Sequence, residues 1–487
     1  MKKNIIIFLL LVVANITLFS QTQFQQFINR VNSVNDVNLK TTIVDSFMVV
    51  ARSSGIPFIE GNTANFIYRG SANTVSIAGD MTGWDANIAK CTKLSGTNFF
   101  YFSQGYEMNA RLDYKIVLNG SNWVLDPENP RTCPGGYGPN SELAMPQFIQ
   151  PWEIRPNTFA QQFTTETKVF HSNTLNRNYT INILLPPGYN TSSESYQTVY
   201  FQDGSDYLNL CSAKNILTNL LDSNKIKKVI GVFVTPTNRN DEYAGNNRFL
   251  YAESFVNEIV PYIDANYRTL ANKYERLVLG DSFGGNISAL IAYKYPEVFA
   301  NCGLHSAAFW PYDYEVYKMI ANGEKKDIKI YSAWGTYESL FINLRNFTDS
   351  LNSKGYVNAT NELPQGHSWG LWRSTLDEIL MYFFPADPVS VEEENTIVSK
   401  YKLNQNYPNP FNPVTTISFE LNYAQNIELN IYNLVGEKIV TLCEGTYGKG
   451  KHDINFNADN LSSGVYFYSL ILKDVNKQLT KKMVYLK

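Results

Sequence analysis

The feature that most constrains this chain is the pentapeptide Gly280-Asp281-Ser282-Phe283-Gly284, which matches the G-x-S-x-G pattern. An apolar run with strand character precedes it at 276–279, and a helix-like apolar run follows at 286–293. In this context the pattern is typical of a nucleophile elbow, a strained strand-to-helix turn that exposes a serine hydroxyl above a sheet. Small residues at both ends let the strand and helix approach closely. The sequence therefore predicts Ser282 as a nucleophile, against the alternative of an ordinary loop turn.

The order of residues along the chain selects a histidine partner. In the α/β-hydrolase fold, a mostly parallel sheet with helices on both faces, an acid and then a histidine follow the serine. Of four histidines, His171 precedes Ser282 and His452 falls in a separate C-terminal module. His305 follows Ser282 too closely to leave room for a further strand carrying the acid. His367, in a turn-like stretch, is therefore the predicted general base, an imidazole that titrates near neutral pH.

The acid should end a strand between the serine and the histidine. Residues 329–334 have strand character and run into Glu338, which is the predicted partner that orients the imidazole and stabilises its protonated form. Asp349 is the rival, but its helical surroundings favour a solvated helix face.

Acyl transfer at a serine also requires backbone N–H donors for the oxyanion. The pattern assigns one donor to Phe283, the residue after the nucleophile. The second is expected after the strand-like run 197–202, where Asp203-Gly204 permits a turn and the Ser205 amide follows. A plain tight turn is the alternative interpretation of that dipeptide.

Further motifs span roughly 165–385 in one order. They are Leu184-Leu185-Pro186-Pro187-Gly188-Tyr189, Arg239-Asn240-Asp241-Glu242-Tyr243, Tyr295-Pro296-Glu297-Val298-Phe299 and the block from Gly366-His367 to Trp372-Arg373. With the elbow, this region resembles the esterase D family of α/β-hydrolases, which includes feruloyl and acetylxylan esterases (carbohydrate esterase family 1) and enterochelin esterase. The resemblance implies a serine esterase, and we expect no metal or cofactor. Many members carry Asp where this chain has Glu338, and both residues can orient the histidine.

Three aromatic residues fall near the predicted site loops. Tyr207, Trp310 and Trp369 would suit a phenolic acyl group, although aromatic residues at such positions also serve as packing.

The N-terminal residues 1–20 have the form of a secretory signal peptide. Lys2 and Lys3 precede an apolar core at 5–13 that is too short to span a bilayer. Removal of the two lysines would take the formal net charge from −3 to −5. A mildly acidic chain without a basic stripe argues against nucleic acid as a partner, and no later segment is apolar and long enough to be a transmembrane span.

Two segments precede the catalytic region. Residues 21–56 are predicted to be a helical lead-in, and residues 57–150 alternate as short strands typical of a β-sandwich. Segments 79–85 and 114–123 resemble glycogen-binding, immunoglobulin-like (E-set) modules. That resemblance implies glycan contacts at Trp84, Lys115 and Trp123, with core packing as the alternative. The catalytic domain is then expected over 151–386.

The five cysteines lack metal-site spacing. Export would permit disulfides, and Cys91–Cys133 is the candidate pair because both fall in one predicted domain. Buried free thiols are the alternative.

A linker at 387–400 with a cluster of glutamates leads to a C-terminal module at 401–487. The module enters through Asn406-Tyr407-Pro408-Asn409-Pro410-Phe411-Asn412-Pro413 and continues as regularly spaced strands, which predicts a second small β-sandwich. It resembles the sorting domain of the type IX secretion system. This implies the secretion machinery as a partner and delivery across an outer membrane to the surface or outside.

The sequence thus predicts a secreted serine esterase that removes feruloyl or acetyl groups from plant polysaccharide. Two alternatives stay open: a siderophore esterase of the enterochelin type, and an inactive surface protein that binds glucan. The acyl group, the glycan and the oligomeric state are left undetermined.

Overall fold

The computed structural model describes residues 21–387, 401–421, 424–433, 437–473 and 477–487. The chain divides into two compact units, 1–387 and 388–487. The predicted signal peptide and nearly all of the predicted linker lie outside the described residues.

The lead-in segment forms two helices, α1 (Gln23–Asn32) and α2 (Val37–Ser54). The side chains of Thr22 and Asp36 cap them by accepting backbone N–H groups of the first turns. Their apolar faces pack against the neighbouring sheet through an aromatic cluster of Phe24, Phe27, Phe47, Phe58 and Phe99. The lead-in is therefore part of the first unit's core.

Two facing sheets follow. One has the order β1-β2-β6-β5, and the other has the order β4-β3-β7-β10-β9 with β8 paired to β7. A shared core that includes Phe66 and Tyr114 joins them into the expected sandwich. The strands are β1 (Phe58–Glu60), β2 (Thr63–Arg69), β3 (Val75–Gly79), β4 (Ala89–Lys90), β5 (Thr92–Lys93), β6 (Phe99–Gly105), β7 (Arg111–Leu118), β8 (Asn122–Val124), β9 (Thr132–Cys133) and β10 (Asn140–Ala144).

The cysteine pair suggested by the sequence does not form. Cys91 and Cys133 are both free thiols. Cys91 directly follows β4 and Cys133 ends β9, and these strands are the opposite edges of one sheet. With neighbouring strands about 4.8 Å apart, the two thiols are too distant for a disulfide.

The second part of this unit is built on a mixed sheet with the order β11-β12-β14-β13-β15-β16-β17-β18. Pairs β11–β12 and β12–β14 are antiparallel, and all later pairs are parallel. The strands are β11 (Thr164–Ser172), β12 (Arg177–Leu185), β13 (Gln197–Phe201), β14 (Val229–Thr235), β15 (Arg276–Asp281), β16 (Asn301–His305), β17 (Lys329–Gly335) and β18 (Val357–Leu363).

Helices cover both faces of this sheet, so its central strands β14, β15 and β16 are buried on both sides. In β15, Leu277 and Leu279 enter one apolar cluster while Val278 enters the other, as alternation along a strand requires. The helices are α3 (Gly204–Asn209), α4 (Ala213–Asp222), α5 (Arg239–Ala244), α6 (Arg248–Ser254), α7 (Val260–Asn266), α8 (Phe283–Lys294), α9 (Pro311–Asn322), α10 (Phe341–Ser353), α11 (Trp369–Arg373) and α12 (Leu376–Phe383). The architecture is the predicted α/β sheet with helices on both faces.

The C-terminal unit consists of two antiparallel sheets, β19-β20-β23 and β22-β21-β24-β25. Apolar residues from both sheets form one core between the sheets, and Phe419, Leu429 and Tyr468 are among them. The strands are β19 (Tyr401–Leu403), β20 (Val414–Leu421), β21 (Gln425–Tyr432), β22 (Lys438–Tyr447), β23 (Gly450–Asn457), β24 (Gly464–Leu472) and β25 (Lys477–Tyr485).

None of the helices among the described residues has the length and apolar character needed to span a membrane.

Candidate active site

Ser282 lies between the end of β15 and the start of α8, in a backbone conformation with φ 52° and ψ −116°. Its own N–H donates to the carbonyl of His305 at 2.8 Å, which ties the turn to the next strand. A Cβ atom added to Gly280 would overlap the backbone of Gly284. Strand and helix therefore meet with no space for a side chain, which is the geometry of a nucleophile elbow.

Glu338 and His367 follow the last two strands of the sheet and meet at its edge. Glu338 Oε2 lies 2.5 Å from His367 Nδ1, and Glu338 Oε1 accepts the backbone N–H of Gly335 at 3.0 Å. The Glu338 side chain is 1% exposed and that of His367 is 34% exposed. With Nδ1 engaged by the carboxylate, Nε2 is the ring nitrogen left to exchange a proton.

Ser282 and His367 line one cavity of about 720 Å³. Both domains of the first unit contribute to its wall. The α/β domain supplies Asp206, Arg239, Asp281, Ser282, His367, Ser368, Trp369 and Trp372, and the sandwich supplies Trp84, Asp113, Lys115, Trp123, Gly135, Gly136, Tyr137, Gly138 and Asn140. The sandwich is thus a wall of the cavity that holds the candidate nucleophile.

The residues set aside by the sequence argument lie elsewhere. Asp349 is exposed on α10, and His171 is exposed on β11. His305 is fully buried, which lowers its pKa to about 3, and its Nδ1 pairs with the hydroxyl of Tyr207 at 2.8 Å. His452 lies on β23 of the C-terminal unit.

The turn predicted to carry the second oxyanion donor begins at Asp203, which has a left-handed φ of 54° and precedes α3. Gly204 packs so closely on the backbone of Phe233 and Val234 that a Cβ atom would overlap it. Ser205 and Phe283 both lie in the first turns of their helices, where backbone N–H groups have no partner within the helix.

Arg239 is a residue that sequence reasoning noted only as part of a family motif. Its guanidinium binds both oxygens of Asp203 at 2.8 and 2.7 Å and donates to the carbonyl of Asp281 at 3.2 Å. It therefore links the residue before Gly204 to the residue before Ser282. Burial raises the pKa of Asp203 and, together with the nearby Asp203 charge, that of Asp281. The signal in the sequence was the place of Arg239 in the motif 239–243, to which no role had been assigned.

The structure separates the three aromatic residues that were considered for substrate contact. Trp369 lines the cavity. Trp310 is exposed and packs its ring on Phe283, with ring centroids 5.1 Å apart. Tyr207 is completely buried, so its side chain belongs to the core beneath the site and is not on the cavity surface.

The three sandwich residues considered for glycan contact do come together with the candidate nucleophile. Trp84, Lys115 and Trp123 all line the cavity. Trp123 is 41% exposed, while the ring N–H of Trp84 donates to Asp80 Oδ1 at 3.2 Å.

Two family models match this chain. The one described as "Putative esterase" matches residues 172–383, and the one described as "Secretion system C-terminal sorting domain" matches residues 405–486. The uncharacterized protein YjcH of Bacillus subtilis is 30% identical over 183 residues, which cover 36% of this chain and 74% of that protein. The chain therefore belongs to the esterase family that the first of these models describes. Its C-terminal domain indicates type IX secretion to the cell surface or outside.

The matches to two other relatives cover smaller fractions of this chain and of the relative. The uncharacterized protein YbbA of Bacillus subtilis is 28% identical over 149 residues, and the match spans 28% of this chain and 58% of that protein. The endo-1,4-beta-xylanase/feruloyl esterase of Xylanibacter ruminicola is 31% identical over 150 residues, 28% of this chain and 20% of that protein.

Among solved structures, the enterobactin esterase of Shigella flexneri superposes with a TM-score of 0.58 at 17% identity. The match covers 66% of this chain and 92% of that chain. At this identity the likeness shows a shared fold.

Proposed function

We propose that this protein is an exported serine hydrolase of carboxylic esters, with Ser282 as nucleophile, His367 as general base and Glu338 as the orienting acid. The observation that carries the proposal is that a serine in a strained elbow opens onto the same cavity as a histidine whose Nδ1 lies 2.5 Å from a buried carboxylate. A turn without catalytic use has no need of that conformation or that pair.

In the proposed reaction, Ser282 Oγ attacks the ester carbonyl carbon while His367 Nε2 takes its proton. The backbone N–H groups of Phe283 and Ser205 stabilise the oxyanion. The imidazolium returns the proton to the leaving alcohol as the C–O bond breaks, which leaves an acyl-enzyme. Water, deprotonated by His367, then releases the carboxylic acid and regenerates the serine.

For the substrate, we propose feruloyl or acetyl esters carried by plant polysaccharide. The proposal is supported by the shared cavity, since a sugar bearing the ester would lie against Trp84, Lys115 and Trp123 when its carbonyl reaches Ser282. Aromatic faces stack on sugar rings. The Xylanibacter relative, named as a feruloyl esterase, is consistent with this class, and Trp369 in the cavity would suit a phenolic acyl group.

A substrate panel tests this assignment. Wild-type protein and Ser282→Ala are compared on methyl ferulate, acetylated xylan and a catecholate trilactone. Hydrolysis of the first or second by the wild type alone is expected. Selective cleavage of the trilactone would replace the polysaccharide assignment with a siderophore esterase, and Ser282-independent cleavage would overturn the mechanism.

A matched pair of tryptophan variants tests the glycan role of the sandwich. Trp123→Ala should lower kcat/KM on the polymeric substrate roughly 10-fold, on the scale of one lost stacking contact, and leave p-nitrophenyl acetate hydrolysis unchanged. The control is Trp152→Ala, because Trp152 is comparably exposed, at 42%, and is not among the cavity residues. Equal behaviour of the two variants would contradict the glycan role.

A further inference from the structure

The loop that carries His367 rests on the sandwich domain. The backbone N–H of Arg111, the first residue of β7, donates to the carbonyl of Pro364 at 3.1 Å, and Arg111 forms an isolated parallel bridge with Gln365. On the other side of the histidine, Arg111 Nη1 donates to Ser368 Oγ at 3.1 Å. One sandwich residue thus contacts the loop both before and after His367.

Close backbone packing reinforces this contact. A Cβ atom on Gly366 would overlap the carboxylate of Asp80, which follows β3 of the sandwich, and a Cβ atom on Gly370 would overlap the guanidinium of Arg111. Neither glycine has a positive φ, so the absence of a side chain at these positions serves close approach. The neighbours of His367 on both sides therefore lie directly on sandwich side chains.

The loop that carries Glu338 also contacts the sandwich. The residue before it, Tyr337, donates its hydroxyl to Glu107 Oε2 at 2.6 Å, and its ring packs against Tyr106. The Tyr337 backbone N–H also donates to the carbonyl of Gln365 at 2.9 Å, which joins the two catalytic loops to each other.

Arg111 is itself held in one place. Its fully buried guanidinium pairs with Asp113 at 2.5 Å and with Glu142 at 2.8 Å. Glu142 in turn accepts from Arg373 of the hydrolase domain at 3.1 Å. A buried cation whose carboxylate partners sit on β7 and β10 cannot move without leaving a charge unpaired, so the group that contacts Ser368 is fixed by the sandwich core.

We propose that the sandwich is a working part of the catalytic apparatus: Arg111 and Glu107 are positioning residues that fix the loops of His367 and Glu338. Neither touches the reacting atoms. This inference rests on the proposed ester hydrolysis, because it assigns a role in aligning the proposed base with Ser282.

Two hydroxyl deletions in the full-length chain test it. Ser368→Ala removes the acceptor used by Arg111, and Tyr337→Phe removes the donor to Glu107. Each should lower kcat roughly 10- to 100-fold, the scale of a small misplacement of a catalytic group, with KM for p-nitrophenyl acetate unchanged. Ser368→Thr, which keeps the hydroxyl, should restore kcat.

The matched controls remove one serine hydroxyl and one tyrosine hydroxyl that do not contact the sandwich. They are Ser353→Ala, whose hydroxyl bonds the Asp349 carbonyl on α10, and Tyr274→Phe, whose hydroxyl bonds Asp327. Both should keep wild-type kcat. Thermal unfolding is measured for every variant, so that a general loss of stability is separated from a loss of alignment.

Three outcomes would overturn the positioning role. They are unchanged kcat in both test variants, a raised KM with unchanged kcat in Ser368→Ala, and a kcat loss that only parallels lowered Tm and is not restored by threonine. In each of these cases, labelling of Ser282 in the wild-type protein by a fluorophosphonate would still support the esterase proposal, so only the positioning role would be overturned. Wild-type protein with neither turnover nor labelling would overturn both proposals.

Discussion

Ser282 occupies a backbone conformation that costs an L-residue about 1–3 kcal/mol, and its surroundings hold it there. The hydrogen bond to His305 fixes its N–H, and its carbonyl accepts from Asn286 and Ala308. These bonds leave the side chain as the polar group of Ser282 that faces the cavity. A strained residue whose backbone is held this firmly is the pattern expected of a nucleophile.

The assignment of Glu338 as the orienting acid can be tested by substitution. Glu338→Gln should reduce kcat by less than His367→Ala does, because the amide can still hold the ring while losing the charge that stabilises imidazolium. Asp349→Asn should be close to neutral, since Asp349 is exposed on α10. Steady-state kinetics on p-nitrophenyl acetate provide the comparison, and the reverse ranking would move the acid role to Asp349.

The carboxyl group of Asp80, which lies against Gly366, leads to a prediction about how the stability of the protein depends on pH. Its burial, with a smaller contribution from the Asp113 charge, raises its pKa to about 8, against lowering contributions from the backbone N–H of Asp113, from Arg111 and from the Trp84 hydrogen bond. The folded protein therefore keeps a proton that the unfolded chain releases above about pH 4. The stability from this group is present below pH 4 and is lost as pH rises towards 8.

The measurement compares Asp80→Asn with the wild type in thermal unfolding at pH 5 and pH 8. The variant cannot titrate, so its Tm relative to the wild type should rise between these pH values. A difference in Tm that is constant with pH would show that Asp80 is ionised in the folded protein throughout the range.

At the scale of elements, the elbow depends on contact between β15 and α8. Gly280→Ala places a methyl group against the Gly284 backbone and should destabilise the fold by roughly 1–3 kcal/mol and abolish most ester turnover. Gly105→Ala in β6 is the control, because its nearest neighbours would lie at 3.6 Å. Activity and urea unfolding check the pair, and equal tolerance of both substitutions would contradict the close-packed elbow.

The local geometry around Ser282 could be predicted from the sequence, whereas the catalytic roles of Ser282, His367 and Glu338 stay predictions. The elbow needs only a strand, a turn and a helix in succession, and Glu338 lies in the turn region after β17, which ends at Gly335. The sequence left open whether Tyr207 contacts substrate or serves as packing, and the structure places it in the core, where elements distant in sequence bury it. The contact between Arg111 and Ser368 joins residues 257 positions apart, and no periodicity or motif spacing encodes such a pairing.

The C-terminal unit forms a core of its own, and we predict that it is dispensable for catalysis. A chain ending near residue 390 should fold, keep its kcat and KM on p-nitrophenyl acetate, and accumulate in the periplasm of the native host. Fractionation and activity assays measure both properties. Loss of turnover would mean that this unit contributes to the site, and normal surface delivery would mean that it is not the sorting signal.

In the proposed mechanism, Ser282 forms a covalent acyl-enzyme with the help of His367. The most direct measurement is mass spectrometry of the full-length protein after reaction with a fluorophosphonate, combined with turnover of p-nitrophenyl acetate. We predict the adduct on Ser282 in the wild type, its absence in Ser282→Ala, and a fall in kcat of roughly 10⁴–10⁶ in Ser282→Ala, in His367→Ala and in the double variant alike. Near-normal turnover by Ser282→Ala, or an adduct on a different residue, would contradict the assignment.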